Sequence, residues 1–314
     1  MAEVFGGFFA ALPGAVAQGL IWGVMAIGVF ITFRVLDVAD LTVDGTMSTG
    51  GAVMVVCMGN GLNVWVSMLL SVIAGCIAGF VTGMFHTKFG IPAILAGILT
   101  QLSLYSINLR ILGGRANAPL SFRNHNLIFS LNDINKSLLL GAVFVVVLIV
   151  FLYWLFGTEL GHGIRATGCN EAMSRANGIN TDTNKVIGLV LSNGIVALSG
   201  AMLCQYQGFA DINMGRGAIV IGLAAVIIGE VIFGKIFKNF ALRLLAVALG
   251  GVIYYVVITF VLRLKIQVGS IDFKFDPNDL KLFTALVVAL FLGVPFWKAK
   301  IAQKNVKNKK EVKA

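Results

Sequence analysis

Residues 184–230 read NKVIGLVLSNGIVALSGAMLCQYQGFADINMGRGAIVIGLAAVIIGE. Two apolar runs, 186–206 and 217–233, flank a short polar stretch holding Asp211, Asn213 and Arg216. A run of about 20 mostly apolar residues is long enough to cross a bilayer as a helix. This stretch therefore reads as two membrane segments joined by a short polar connection.

The same pattern recurs outward in both directions. Further segments are expected at 15–33, 64–85, 91–112, 138–156 and 241–262, with two weaker ones at 45–58, which is Gly-rich, and 282–297, which is broken by Pro295. Nine crossings is the nominal count. The fold class is all-α, a polytopic integral membrane protein with about eight to ten transmembrane helices. Residues 1–297 form one transmembrane domain and 298–314 a basic tail.

Composition agrees: 58% of the 314 residues are hydrophobic and 12% charged, against roughly 25% charged in soluble domains. Soluble enzymes are excluded. The net charge of +10 does not indicate a nucleic-acid partner, because Lys and Arg are dispersed over short loops and the tail rather than gathered in one patch. The N-terminus carries Glu3 and no Lys or Arg before the first apolar run, so that run is expected to stay as a membrane helix and not to be cleaved. The four cysteines are scattered and form no CxxC pair.

Orientation follows the bias of Lys and Arg toward the cytoplasm. With nine crossings and a cytoplasmic C-terminus, 15 of the 24 basic residues fall inside and nine outside. The loop 157–184 lies inside, while 113–136 and 263–281 lie outside, either as contact surfaces for another protein or as solvated linkers.

Two short stretches echo each other. Ala39-Asp40-Leu41 precedes one Gly-rich apolar run and Ala210-Asp211-Ile212 precedes another. In this topology they approach from opposite faces, the arrangement of inverted repeats whose interrupted helices flank a substrate path. Asp40, Thr42 and Asp44, with Asp211 and Asn213 in the echo, are candidate path residues. On the fourth segment Gln101, Tyr105 and Asn108 share a helical face, and Asn193 and Gln205 interrupt the sixth. Such groups either bond between helices or line a wet pathway. Gly75, Gly79 and Gly83 form a stripe that lets a neighbouring backbone approach closely.

No catalytic constellation is present. His86, His125 and His162 lie in separate loops, and HExxH and GxSxG are absent. Residues 229–235 resemble the start of a phosphate-binding loop, but Ile236 stands where a Ser or Thr must reach Mg²⁺. The chain is expected to hold no metal and not to hydrolyse ATP.

In the loop 157–184, residues 170–176 read as a short helix, capped by Asn170 and stopped at Gly178. The run IRATGCNEAMSRANGI (164–179), the opening stretch 184–230, FRVLDVADLTVDGTMSTGGA (33–52) and PNDLKLFTALVVAL (277–290) together resemble the permease subunit of ABC importers of the branched-chain amino acid and ribose type. Within that group the chain is most similar to permeases placed with tryptophan/tyrosine importers.

The resemblance implies that Arg165, Ala166, Gly168, Asn170, Ala172 and Gly178 belong to a loop that couples to a separate ATP-binding subunit, with Glu171 beginning its acidic motif. The match departs from the usual motif, since Met173 and Ser174 follow Glu171-Ala172 and Gly178 comes seven residues after Glu171. Arg165 and Arg175 could pair with acidic groups of the ATPase. The implied partners are that ATPase, which would carry ATP and Mg²⁺, an extracytoplasmic substrate-binding protein, a second permease copy, a small solute such as an aromatic amino acid, and the lipid of a bacterial plasma membrane. The alternative is a secondary transporter driven by an ion gradient, which would require a coupling carboxylate at Glu230, Asp40 or Asp44. An integral membrane enzyme lacks the residues for its chemistry.

Overall fold

The computed structural model describes residues 2–120, 127–131 and 133–263, with residues 266–268 and 271–273 and isolated positions between 282 and 293. Six helices among them are long and apolar enough to cross a membrane. They are α1 (Ala2–Phe30), α3 (Val64–Thr87), α4 (Ala93–Ile111), α5 (Ile134–Phe156), α8 (Thr181–Gln207) and α10 (Phe240–Arg263). Two shorter elements pack among them, α2 (Thr42–Gly59) and α9 (Ala218–Phe233), and α6 (Glu159–Cys169) and α7 (Glu171–Ala176) lie at one end. The nominal crossing at 282–297 and the tail 298–314 fall almost entirely outside the described residues.

The first helix starts well before the apolar run at 15, because Pro13 interrupts too little of the surrounding apolar sequence to end it. It finishes in a π turn, Ile31–Val35, where the Thr32 hydroxyl donates to the Val29 carbonyl. Asp37 then takes a left-handed conformation, φ +55°, which Asp tolerates better than most residues. The chain thus turns back into the bundle at Asp40.

Helix α8 is the pillar. Helices α3, α2 and α1 all pack on it, while α10 packs on α1 and α9. The close approaches use glycine. A Cβ at Gly50 would overlap the Ala197 carbonyl and one at Gly200 the Met47 carbonyl, so α2 and α8 touch backbone to backbone at two levels. Gly75 and Gly79 meet the Asn193 and Leu189 carbonyls in the same way, so the stripe expected on the third segment is the α3–α8 seam. Such contact distances replace the hydrophobic drive that lipid cannot provide.

Two elements were not legible as strands. Asn117–Pro119 (β1) pairs antiparallel with Phe209–Asp211 (β2), with Ala118 opposite Ala210. This ribbon ties the α4–α5 connection to the α8–α9 connection at one end of the bundle. Part of the stretch 113–136 therefore binds the chain's own backbone. A second ribbon pairs Ile266–Val268 with Ile271–Phe273.

The two ends differ in charge. Arg34, Lys88, Arg165, Arg175, Lys185, Lys235, Lys238 and Arg243 lie at the end carrying α6 and α7, and Arg110, Arg115, Lys136, Arg216 and Arg263 at the other, among the described residues.

Candidate functional site

The echoed stretches share one local geometry. Asp40 accepts the Thr42 amide at 2.9 Å, and Asp211 accepts the Asn213 amide at 2.6 Å. Each is an Asx turn at a point where the chain heads back into the bundle. The first leads into α2 from the basic end. The second follows β2 at the opposite end and leads into α9, whose far end returns to the basic end where Glu230 meets Arg34 at 2.8 Å.

The starts of α2 and α9 meet through Asp44. One of its carboxylate oxygens accepts the Gly217 amide at 2.9 Å and the other the Ile219 amide at 3.0 Å. Asp44 is thereby the cap of a helix that follows it by more than 170 residues, and it stands in the first turn of its own helix. Ser48, one turn on, accepts the Gly215 amide at 3.1 Å. A carboxylate at two helix N-termini gains from both dipoles, and its amide bonds are of the stronger charge-assisted kind. Gly217, at φ +83°, takes a conformation open to glycine.

Asp40 lies deeper and is 3% exposed. Asn193 donates to it at 2.7 Å and to the Leu189 carbonyl at 3.0 Å, and accepts from the Thr46 hydroxyl at 2.7 Å. Thr42 continues the network to Thr82 at 2.8 Å and Thr82 to Thr100 at 2.9 Å. Asn193 is fully buried and bonded on both amide atoms. Of the two readings open for it, interhelical bonding describes this conformation. Gln205 is also buried and bonded, accepting the Ile128 amide of the α4–α5 connection at 3.2 Å.

The α4 face divides. Asn108 is buried and donates to the Gly45 carbonyl at 3.4 Å, and the Gln101 backbone packs at Gly45. Tyr105 is 47% exposed on the outer surface of the chain. Asn213 is exposed and Asp211 half-buried, and neither side chain joins the Asp40 or Asp44 clusters. Thr46, Ser48, Thr82 and Thr100 escaped the sequence reading; in apolar helices a lone Thr or Ser also bonds its own i−4 carbonyl, which hides its long-range partner.

At the basic end, Asn170 caps α7, accepting the Met173 amide at 3.0 Å, and Gly178 ends it at φ +80°. The expected helix is present, and the longer α6 precedes it in the same loop. Gly168 faces inward: a Cβ there would overlap the Val35 carbonyl, so its smallness serves the chain's own fold. Arg165 is not free either. Its guanidinium lies 4.1 Å from the Phe240 ring centroid and 5.3 Å from that of Phe156. Ala166 is half-buried, whereas Ala172, Met173, Arg175, Ala176 and Asn177 face outward.

Glu171 pins this helix to α8. Lys185 reaches it at 2.8 Å and Arg175 at 2.8 Å, while Arg175 also meets Asp182 at 3.0 Å. The Lys185 hydrogen bond, chiefly, holds the Glu171 carboxyl below its ordinary range. A carboxylate whose folded pKa is depressed contributes stability above its unfolded pKa, roughly 4.3, and that contribution disappears as pH falls through the folded value. Amide exchange in α7 is therefore expected to rise on acidification below the ordinary carboxylate range. E171Q should abolish the dependence while costing under about 1 kcal/mol at neutral pH, because exposed pairs are weak. An unchanged acid profile in E171Q would refute the assignment.

Comparison with known proteins gives this geometry a context. The branched-chain amino acid transport system / permease component family matches residues 10–301. A tyrosine transport system permease protein of Clostridioides difficile (strain R20291) is 37% identical over 290 residues, covering 92% of this chain and 93% of its own. An uncharacterized protein of Rickettsia prowazekii (strain Madrid E) is 34% identical over 280 residues, covering 89% and 95%. Among solved structures, an inward-facing conformation of a metal-chelate type ABC transporter aligns at TM-score 0.52 and 15% identity, over 91% of this chain and 87% of that one, a likeness of fold. From the family match and these identities, the chain belongs to the branched-chain amino acid transport system permease family, as a multi-pass membrane transport subunit.

Proposed function

We propose that the chain is the membrane permease of an ATP-driven importer for a small solute of the aromatic amino acid class, with its basic end and C-terminus in the cytoplasm. The observation that carries the reading is the meeting of α2 and α9 at Asp44, two short helices that start from opposite ends of the bundle. In secondary transporters, half-helix N-termini flank the substrate site, and the α2–α9 junction is read here as the corresponding place in this permease. Asp44, Gln101 and Tyr105 are taken as path residues, with Asp40, Thr42, Asn108 and Asn193 holding the surrounding helices in register and Asp211 and Asn213 shaping the turn into α9. The tyrosine permease relative supports the solute class, and the excess of basic residues around α6 and α7 supports the orientation.

On this reading an extracytoplasmic binding protein delivers the solute at the β1–β2 end. A second copy of the chain completes the path. A partner ATPase carrying ATP and Mg²⁺ docks on the outward face of α7, with Arg165 and Gly168 acting behind that face. The gradient-driven alternative loses Glu230, which is engaged by Arg34 at the basic end.

The test is purification of the tagged chain from its native membrane, scoring what remains bound. Wild type should retain a soluble subunit with an intact P-loop. An A172W/M173E double variant should lose it by more than about tenfold while its own melting temperature stays put, since exposed substitutions usually shift stability by less than about 0.5 kcal/mol. Equal retention by the variant would remove α7 from the docking surface, and recovery of the chain alone would remove the importer reading.

A further inference from the structure

A second feature, apart from the path, lies where the basic end meets the membrane. A cavity of about 910 Å³ opens between the ends of α1 and α5, helix α6 and the α9–α10 connection. Its cationic lining is Arg34, Arg165, Lys238 and Arg243, with His162 beside them. Among the described residues the one acidic partner of this group is Glu230, which engages Arg34. A neighbouring cavity of about 750 Å³ shares Arg34 and Arg243 and contains Glu230 and Lys235.

Three further observations narrow what the first cavity would take. The Arg165 Nε is buried and makes no hydrogen bond, although its guanidinium is fixed over Phe240 and Phe156. That Nε is shielded behind the rings, while Arg165 itself lines the cavity and brings a fixed positive charge to its wall. Next, the wall on the α5 side is aromatic and open: Tyr153 is 52% and Trp154 65% exposed. Such residues collect at the level of lipid headgroups. Last, that wall runs on into the outward apolar face of α5, through Val150, Val147, Val146 and Val143, which is long enough for an acyl chain to lie along.

We propose that this cavity binds the phosphate headgroup of an anionic phospholipid, with Arg165, Lys238 and Arg243 as its cationic contacts and the Val143–Trp154 side of α5 as the acyl-chain surface. Basic pockets between transmembrane helices are suited to such headgroups. A docked protein would satisfy the charge as well, but it would not use the apolar strip that descends α5 from the cavity rim. The site stands independently of which solute the permease carries.

The experiment is native mass spectrometry of the full-length protein released from nanodiscs of equal phosphatidylglycerol and phosphatidylcholine. Wild type is expected to retain phosphatidylglycerol in clear preference. K238Q/R243Q should reduce that retention by about tenfold or more, at about fivefold per near-surface cation, with an unchanged melting temperature because both side chains are exposed. R165Q tests the buried contact, and R165K should recover part of the binding. K304Q/K307Q in the tail should behave as wild type.

Equal retention of the two lipids, or wild-type retention by K238Q/R243Q, would overturn the proposal. Displacement of the lipid by inorganic phosphate alone, with no contribution from acyl chains, would make it a free-phosphate site and overturn the lipid assignment. Protection of the K238C thiol by the purified ATPase subunit, with or without lipid, would give the cavity to a protein partner and overturn it too.

Discussion

Replacing Gly200 with leucine is expected to eliminate folded protein from the membrane. Its Cβ would fall on the Met47 carbonyl, a backbone atom that cannot rotate away, and α2 is held at the same seam by Gly50 against the Ala197 carbonyl. Overpacking a tolerant core costs about 1–3 kcal/mol and sometimes more. Here the helices must separate along their length, which also breaks Ser71 from the Gly50 carbonyl and strains the Asn193–Asp40 bond. That combined loss approaches the whole stability of an ordinary domain, about 5–15 kcal/mol. Fluorescence-detected size exclusion of G200L and of G59L separates the two cases. Gly59 has open space around it, so G59L should run as wild type, and a monodisperse G200L peak at normal abundance would contradict the seam.

The second large effect is functional. D44N is expected to leave the protein folded and to reduce solute uptake by about tenfold to a hundredfold. The carboxamide can accept one of the Gly217 and Ile219 amides through its oxygen but must turn a donor toward the other, and the charge facing two helix N-termini is gone. Hydrogen bonds to charged groups are worth about 1.5–3 kcal/mol, and each 1.4 kcal/mol is tenfold in an equilibrium or rate. D44E restores the charge with a longer reach and should recover part of the uptake. Uptake by D44N at the wild-type rate, at matched abundance, would show that the α2–α9 junction takes no part in transport. S48A, which loses only the Gly215 amide bond, should be the milder of the two.

These two sites were unequally visible beforehand. Asp44 stood out because a carboxylate beside a short Gly-rich apolar segment is unusual in a membrane protein. Its partners did not, since Gly217 and Ile219 contribute backbone amides, which carry no residue-type signature. Gly200 and Gly50 offered still less. A glycine in a membrane helix is common, and only the neighbour that its Cβ would strike distinguishes Gly200 from Gly59. Arg165 and Gly168, which the resemblance places in the ATPase-coupling loop, pack on Phe240 and Val35 of the chain itself.

Membrane residence, the approximate position of the long helices and the capped helix at 171–176 were determined by sequence alone. Each depends on neighbours within a few turns: an apolar run long enough for the bilayer, or an Asn that bonds an amide three residues on. The family followed from long matching stretches. The junction at Asp44, the buried Asp40–Asn193–Thr46 network, the α2–α8 seam and the basic cavity beneath α6 were decided by tertiary structure. Their partners lie more than 75 residues apart in most cases, and what joins them is the packing of helices around α8, a property of three-dimensional shape that no local pattern of side chains encodes.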